Sequence, residues 1–182
     1  MKYSYPTHKL NVLFIALSLM FVSFGTNAQT SSELVFKNAA LASGQAGKDG
    51  AIYRFPSVKT GVDALVKISG RSSSLVKLEN IDLTSTGFDK AFQPQVSYNN
   101  GDASRGNDWW MEFQLSFVDA GTNTATTVSS FNVTALDIDG DDNGLAEYVN
   151  FYKQASYTLE QHSQLTVTST WSPIVCKTCL QS

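Results

Sequence analysis

Cysteine and histidine are nearly missing from this 182-residue chain: the cysteines are Cys176 and Cys179, and the histidines are His8 and His162. Each scarcity excludes a chemistry. Nucleophilic hydrolysis by Ser or Cys needs a base beside the nucleophile, usually histidine. His162 sits in the polar stretch Glu160-Gln-His-Ser-Gln164, where it reads as a surface turn residue. Two thiols and one such histidine also fall short of the roughly four ligands of a structural zinc site. Cys176-Lys-Thr-Cys179 has the spacing of a redox pair, but thioredoxin-type chemistry expects that motif at the start of a helix in a βαβ unit. In an oxidising compartment a local Cys176–Cys179 disulfide, or two tail cysteines, is the plainer expectation.

Long apolar runs are equally scarce. The only one, Val12 to Phe24, spans 13 residues, against the roughly 20 that a bilayer requires. Lys2, His8 and Lys9 precede it and Thr26-Asn27-Ala28 follows, the layout of a signal peptide cleaved near Ala28. Residues 1–28 are therefore set aside, and the mature chain is expected to be exported, either secreted or at the cell surface, with no membrane span. No cysteine follows the cleavage site to carry a bacterial lipid anchor. Removing residues 1–28 takes Lys2 and Lys9 and no acid, leaving 11 basic and 16 acidic residues, a balance of −5. A nucleic-acid partner would call for a basic stripe, so that class is set aside as well. The remaining 154 residues suit one domain, drawn here as 29–175 with a short tail at 176–182.

No mature window carries a 3.6-residue apolar stripe, and period-two alternation takes its place. In Asp108 to Thr122, Trp109, Met111, Phe113, Leu115 and Phe117 alternate with Trp110, Glu112, Gln114 and Ser116. That is a strand with one buried face, Trp109 inward and Trp110 outward. Val62, Ala64, Val66 and Ile68 alternate with Asp63, Lys67 and Ser69, with Leu65 out of phase, and Leu165 and Val167 alternate with Gln164, Thr166 and Thr168. Further strands are expected at Leu34–Lys37, Ala51–Phe55, Leu75–Leu83, Gln93–Tyr98, Thr126–Asp137, Tyr148–Lys153 and Ser156–Leu159. Many short strands between Gly- and Asn-rich turns predict an all-β, antiparallel sandwich of jelly-roll-like kind. One core between two sheets should gather Val66, Ile68, Met111, Phe113, Leu115, Phe117, Val133, Phe151 and Val167.

The densest chemistry lies in Asp137-Ile-Asp-Gly-Asp-Asp-Asn-Gly-Leu-Ala-Glu147. Calcium takes six to eight oxygens, and the EF-hand loop supplies them from positions 1, 3, 5, 7, 9 and 12 with Gly at 6. Counted from Asp139, the stretch offers Asp139, Asp141, Asn143, Gly144, the Leu145 carbonyl and Glu147 at the first five of those positions and the glycine. Position 12 is Asn150 in place of glutamate and the exit reads as a strand, so what survives is the front half of such a loop between two strands. Asp137 could add an oxygen. Glu147 shares the parity of Val149 and Phe151, which aims its carboxylate inward, where a cation would be its natural partner, unless the strand starts later. The competing reading is a solvated hairpin turn built from good turn residues.

A second candidate is Asn99 to Trp110. Asn99, Asn100, Asp102, Arg105 and the outward Trp110 combine amides, an acid, a cation and an aromatic face, the means by which sandwich lectins hold a sugar ring. The competing reading is a Trp110 covered by a neighbouring loop or sheet.

Taken in order, "AIYRFPSVKTGVDALVKI", "GFDKAFQPQV", "WMEFQLSFVDAGT" and "FNVTALDIDG" resemble a β-sandwich segment of large secreted adhesin-like surface proteins of gliding Gram-negative bacteria. The likeness covers Gly50 to Leu159 and implies a non-catalytic extracellular module, with no functional residues to carry over. A free secreted module and a piece of a longer surface protein both fit. The expected function is a calcium-stabilised, non-enzymatic module binding a polysaccharide or a cell-surface or matrix protein. The alternative is a small secreted glycan-active enzyme, since glycoside hydrolysis needs only two carboxylates flanking a cleft.

Overall fold

The computed structural model describes residues 33–87, 90–98, 108–134, 147–153, 156–163, 165–169 and 174–178. Among them there is no helix, hence none long and apolar enough to cross a membrane. The fold is all-β and antiparallel. Strands β1 (Ala40–Ser43), β2 (Ile52–Lys59), β3 (Val62–Arg71) and β6 (Met111–Asp119) form one sheet in the order β1-β2-β3-β6. Strands β4 (Val76–Asn80) and β5 (Gln95–Tyr98) form a two-stranded sheet. Strands β7 (Tyr148–Phe151), β8 (Leu165–Ser169) and β9 (Ile174–Thr178) form a third, in the order β7-β9-β8. Among the described residues, none of the sheets closes on itself.

The core lies on one face of the four-stranded sheet. β2 and its approach contribute Ala51, Tyr53, Phe55 and Val58, and β3 contributes Ala64, Val66 and Ile68. The change of parity from Phe55 to Val58 has a local cause. Pro56 has no amide to give to a ladder, Ser57 adopts a φ of 51°, and the register slips between Phe55 and Lys59, so an extra residue restores Val58 to the inner face. β6 pairs with β3 through Val66↔Leu115 and Ile68↔Phe113, which lays Met111, Phe113, Leu115 and Phe117 against this core. Glu112, Gln114 and Ser116 face solvent, so the expected register of β6 holds.

Aromatic rings close the other side of the core. Phe92, from the approach to β5, lies 5.8 Å from Phe36, 5.7 Å from Phe55 and 5.4 Å from Phe113 between ring centroids. The contacts with Phe55 and Phe113 are edge-to-face, a geometry that adds about 0.5–1.5 kcal/mol beyond burial. Phe36 reaches this position from an extended segment: Val35 donates to the Val58 carbonyl and Phe36 to the Lys90 carbonyl.

Several expectations need correction. Val133 is 58% exposed, because residues Thr126–Thr134 run without a strand; Ala125 bridges Val118, Thr126 donates to the Phe117 carbonyl, and no ladder follows. Phe151 and Val167 are half-buried in the three-stranded sheet, apart from the residues that pack on the core. Leu34–Lys37 is not a strand; Asn38 turns at a φ of 56° and pairing begins at Ala40. Ser156–Leu159 is also unpaired, with Tyr157 exposed. His162 occupies an exposed turn, as expected. β9 was not anticipated, and the boundary drawn between 175 and 176 falls inside it.

Asp63, read as an outward residue of β3, is instead 3% exposed. It accepts hydrogen bonds from Arg54 Nη1 at 2.8 Å, from the Ser57 N–H at 2.8 Å and from the Gly121 N–H at 2.9 Å. Burial alone would raise this carboxyl, but the Gly121 and Ser57 amides and the Arg54 guanidinium outweigh it and hold the group below its ordinary value. Asp82, 8% exposed between β4 and β5, has the opposite balance: among the described residues, neither carboxylate oxygen has a hydrogen-bond partner. Burial pushes this carboxyl up, and the nearby Gln93 amide, short of full hydrogen-bond geometry, offsets only part of that.

These two carboxylates should respond oppositely to substitution and to pH. Asp63→Ala leaves a guanidinium and two amides unpaired and should cost about 3 kcal/mol in urea unfolding. Because the folded-state value is depressed, the contribution of Asp63 is present above the unfolded carboxyl value and disappears as pH falls through the folded one. For Asp82 the folded-state value is raised, so its protonated form favours folding at low pH and that benefit is lost as pH rises through the raised value. Asp82→Asn should therefore stabilise the protein by about 1 kcal/mol at pH 7 and by less in acid, measured by thermal unfolding across pH.

Candidate ligand-binding site

Strand β5 ends at Tyr98 and strand β6 is entered through Asp108, so both ends of the Asn99-containing loop are fixed by sheet pairing. Trp109 turns inward and stacks on Tyr98, with centroids 5.8 Å apart and planes 26° from parallel. This contact brings together the residues on either side of 99–107. Trp110 points the other way and is 42% exposed. Its backbone is held on both sides by one residue: its N–H donates to Ser72 Oγ at 3.0 Å, and its carbonyl accepts from the Ser72 N–H at 3.0 Å. Ser72 directly follows β3, so these bonds extend the β3–β6 ladder and fix the backbone that carries an exposed indole at the end of the sheet.

The support beneath Trp110 is also polar. Arg71, which pairs with Met111, donates from Nε to Asp49 Oδ1 at 2.6 Å, from Nη1 to the Val76 carbonyl at 2.8 Å and from Nη2 to the Gly47 carbonyl at 2.8 Å. One guanidinium thus ties β3 to the start of β4 and to the turn before β2. Tyr53 Oη accepts from the Gly47 N–H at 2.8 Å. Gly44, at a φ of 81°, packs so closely that a Cβ there would come within 2.9 Å of Ala51 Cα. The sheet end that carries Trp110 is therefore braced from two sides.

Trp110 is where the sequence placed it. Asn99, Asn100, Asp102 and Arg105 lie outside the described residues, as do Asp137, Asp139, Asp141, Asn143 and Leu145 of the acidic stretch. Glu147 is described and exposed: β7 pairing starts at Tyr148↔Lys177, the later start under which strand parity does not turn its carboxylate inward. Cys176 lies in the middle strand of its sheet, in register with Val149 and Val167, and Cys179 lies outside the described residues. Burial raises the Tyr148 hydroxyl, and the Asp108 carboxylate and Tyr152 push it further up. The exits of the two sequence-predicted loops, at Asp108 and at Glu147-Tyr148, are thus within electrostatic reach of each other.

Two features of this region escaped the sequence reading. The Ser72 clamp depends on which serine of Arg71-Ser-Ser-Ser74 meets Trp110, a matter of register. Gly70, opposite Glu112 in the ladder, keeps the sheet surface beside Trp110 free of a side chain. No family model, curated protein or solved structure matches the chain.

The Tyr98–Trp109 stack is open to a direct check. Tyr98→Leu keeps much of the apolar volume and removes the ring pair, so it should cost about 1 kcal/mol in chemical unfolding and reduce the near-ultraviolet circular dichroism of the tryptophans.

Proposed function

We propose that this chain is exported behind the leader read at residues 1–28 and acts as a non-enzymatic β-sandwich module, jelly-roll-like in arrangement, that binds polysaccharide on a bacterial cell surface or matrix. The observation that carries the reading is Trp110. An indole 42% exposed, on a backbone bonded on both sides to Ser72, presents a flat apolar face to solvent from a strand whose main chain is already ordered before binding. Sugar rings are held by stacking on such faces and by hydrogen bonds from neighbouring amides and acids, the groups that Asn99, Asn100, Asp102 and Arg105 would bring from the adjoining loop.

Calcium is the second part of the proposal. Asp137, Asp139, Asp141, Asn143, the Leu145 carbonyl and Glu147 are a hard-oxygen set of the kind calcium takes. Glu147 is exposed and so free to turn toward an ion. The ion would cancel the repulsion among these carboxylates and stiffen the approach to β7, near Asp108.

A glycan array probed with and without calcium, alongside calorimetry, tests both parts. The wild-type chain should retain one or more neutral glycans, and Trp110→Ala should lose about tenfold or more in affinity, the equivalent of about 1.4 kcal/mol. Millimolar calcium should raise the melting temperature through preferential binding to the folded state, and Asp139→Ala or Glu147→Ala should abolish that rise. An unchanged melting temperature with no heat of binding would reduce the acidic stretch to a polar turn. An array without any retained glycan would overturn the binding reading.

A further inference from the structure

The segment that leaves β4 buries a charge without a counter-ion. Asp82 is 8% exposed, both of its carboxylate oxygens are buried, and among the described residues neither has a hydrogen-bond partner. The ion pairs of the described residues are Arg54–Asp63, Arg71–Asp49 and Lys90–Glu33, so no lysine or arginine among them answers it. Asp63 shows what this fold supplies to a carboxylate that it buries for its own stability: a guanidinium and two amides at 2.8 to 2.9 Å. Asp82 receives no such set. A buried acid is neutralised by a proton, by a side-chain cation or by a bound ion, and the described residues offer no side-chain cation.

The groups gathered around Asp82 are oxygens. Asn80 Oδ1 accepts from the Asp82 N–H at 3.1 Å, which holds the Asn80 side chain against the Asp82 main chain. The Leu83 N–H donates to the Gln93 carbonyl at 2.9 Å and the Gln93 amide approaches the Asp82 carboxylate, so Gln93 lies across from it. Thr86 Oγ1 donates to Gln93 Oε1 at 2.6 Å, which brings a hydroxyl to the same place. The run Asn80-Ile-Asp-Leu-Thr-Ser-Thr-Gly87 thus carries one carboxylate, one amide and three hydroxyls, with no basic residue. Such oxygens are hard donors of the kind that hold alkali and alkaline-earth cations. A proton would remove the charge, but it leaves one carboxyl oxygen a donor and the other an acceptor, each still to be paired. A cation among these donors satisfies both oxygens at once.

We infer that Asp82 anchors a cation site for a monovalent ion of the sodium class, with Asn80 Oδ1, Thr86 Oγ1 and Gln93 Oε1 as the neutral oxygens beside it. Charge decides the class. One carboxylate and neutral oxygens cancel a single positive charge, whereas a divalent ion would leave a net charge in a buried place. The site is therefore separate from the acidic stretch 137–147, whose several carboxylates suit calcium, and it does not depend on the glycan or calcium readings. Its position gives it a task. Ile81 and Phe92 pack against the core from the two strands' flanks, and Phe92 is the ring that meets Phe36, Phe55 and Phe113. An ion shared by Asp82 and Gln93 fastens these two flanks to each other directly beside that ring.

Thermal unfolding of the full chain at pH 7 tests this, with sodium chloride set against choline chloride at equal ionic strength, so that screening is the same in both and only the small cation differs. A chelator is present in these samples, a parallel series replaces it with calcium chloride, and the sodium magnetic-resonance line width is read alongside. The wild-type chain should melt higher in sodium than in choline, through binding to the folded state, and should broaden the sodium resonance. Asp82→Asn keeps the shape and removes the charge. It should melt alike in both salts and leave the resonance narrow; in choline it should be the more stable chain, and sodium should close that gap. Thr86→Val, at an exposed position, should stay folded and weaken the sodium dependence. A sodium response that survives Asp82→Asn would place the ion elsewhere and overturn the site. A calcium response that is lost in Asp82→Asn, with none to sodium, would overturn the monovalent class. If neither ion gives a response that depends on Asp82, the carboxyl is simply protonated and the inference falls.

Discussion

The buried carboxylate of Asp63 is the constraint on which the four-stranded sheet depends. A charge taken out of water is tolerated only when its lone pairs are met, and here the three hydrogen bonds come from three different parts of the chain. Arg54 and Ser57 flank the irregularity in β2, Asp63 itself opens β3, and Gly121 lies in the turn that leaves β6. Arg54 also reaches Asn123 Oδ1 at 2.5 Å, which doubles the link to that turn. The bulge that returns Val58 to the core and the turn that ends β6 are therefore held by one residue, and the register of three strands is fixed at the end of the sheet remote from Trp110.

The opposite end is held by a second set of contacts with the same logic. Arg71 gathers Asp49, the Gly47 carbonyl and the Val76 carbonyl, and Ser72 gathers the backbone of Trp110. Between the two polar clamps the core is apolar and its long range order comes from aromatic edges, with Phe92 touching Phe36, Phe55 and Phe113. Such an arrangement makes the sheet a stiff platform. Whatever its open face meets, the cost of ordering the protein side is small, and this is the condition under which a few hydrogen bonds and one stacked ring amount to useful affinity.

How much of this was legible in the sequence depends on the range of the interaction. β6 was fully legible, because period-two alternation is local and its inner residues meet a core that rewards the pattern; the opposite facing of Trp109 and Trp110 follows from it. β2 was only half legible. Alternation holds through Tyr53 and Phe55, and the bulge at Pro56-Ser57 that reverses parity is stabilised by Asp63, a partner across the hairpin. Asp63 itself was misread for the same reason: a polar residue in a polar position of the pattern looks outward until the three donors that bury it are known. Val133 failed differently, since an apolar residue in a β-prone stretch becomes a strand only if a partner edge is in reach, and past the Thr126 bond to the Phe117 carbonyl no strand ladder forms in residues 127–134. The facing of Glu147 turned on where the strand starts, which the Tyr148↔Lys177 pair decides, and β9 escaped because a short Ile-Val-Cys run gains its strand character from the two neighbours that flank it.

The same alternation that builds the core determines what the open face can do. A residue pair such as Trp109-Trp110 must divide between the two faces: one ring goes inward to Tyr98 and the other must stand in solvent, and a large apolar face in water carries a standing cost of about 25 cal/mol for each square ångström that a ligand could cover. A small or polar side chain at position 110 would serve the ladder equally well, because Ser72 bonds only the backbone there. Folding thus accounts for the placement of position 110 but not for its indole.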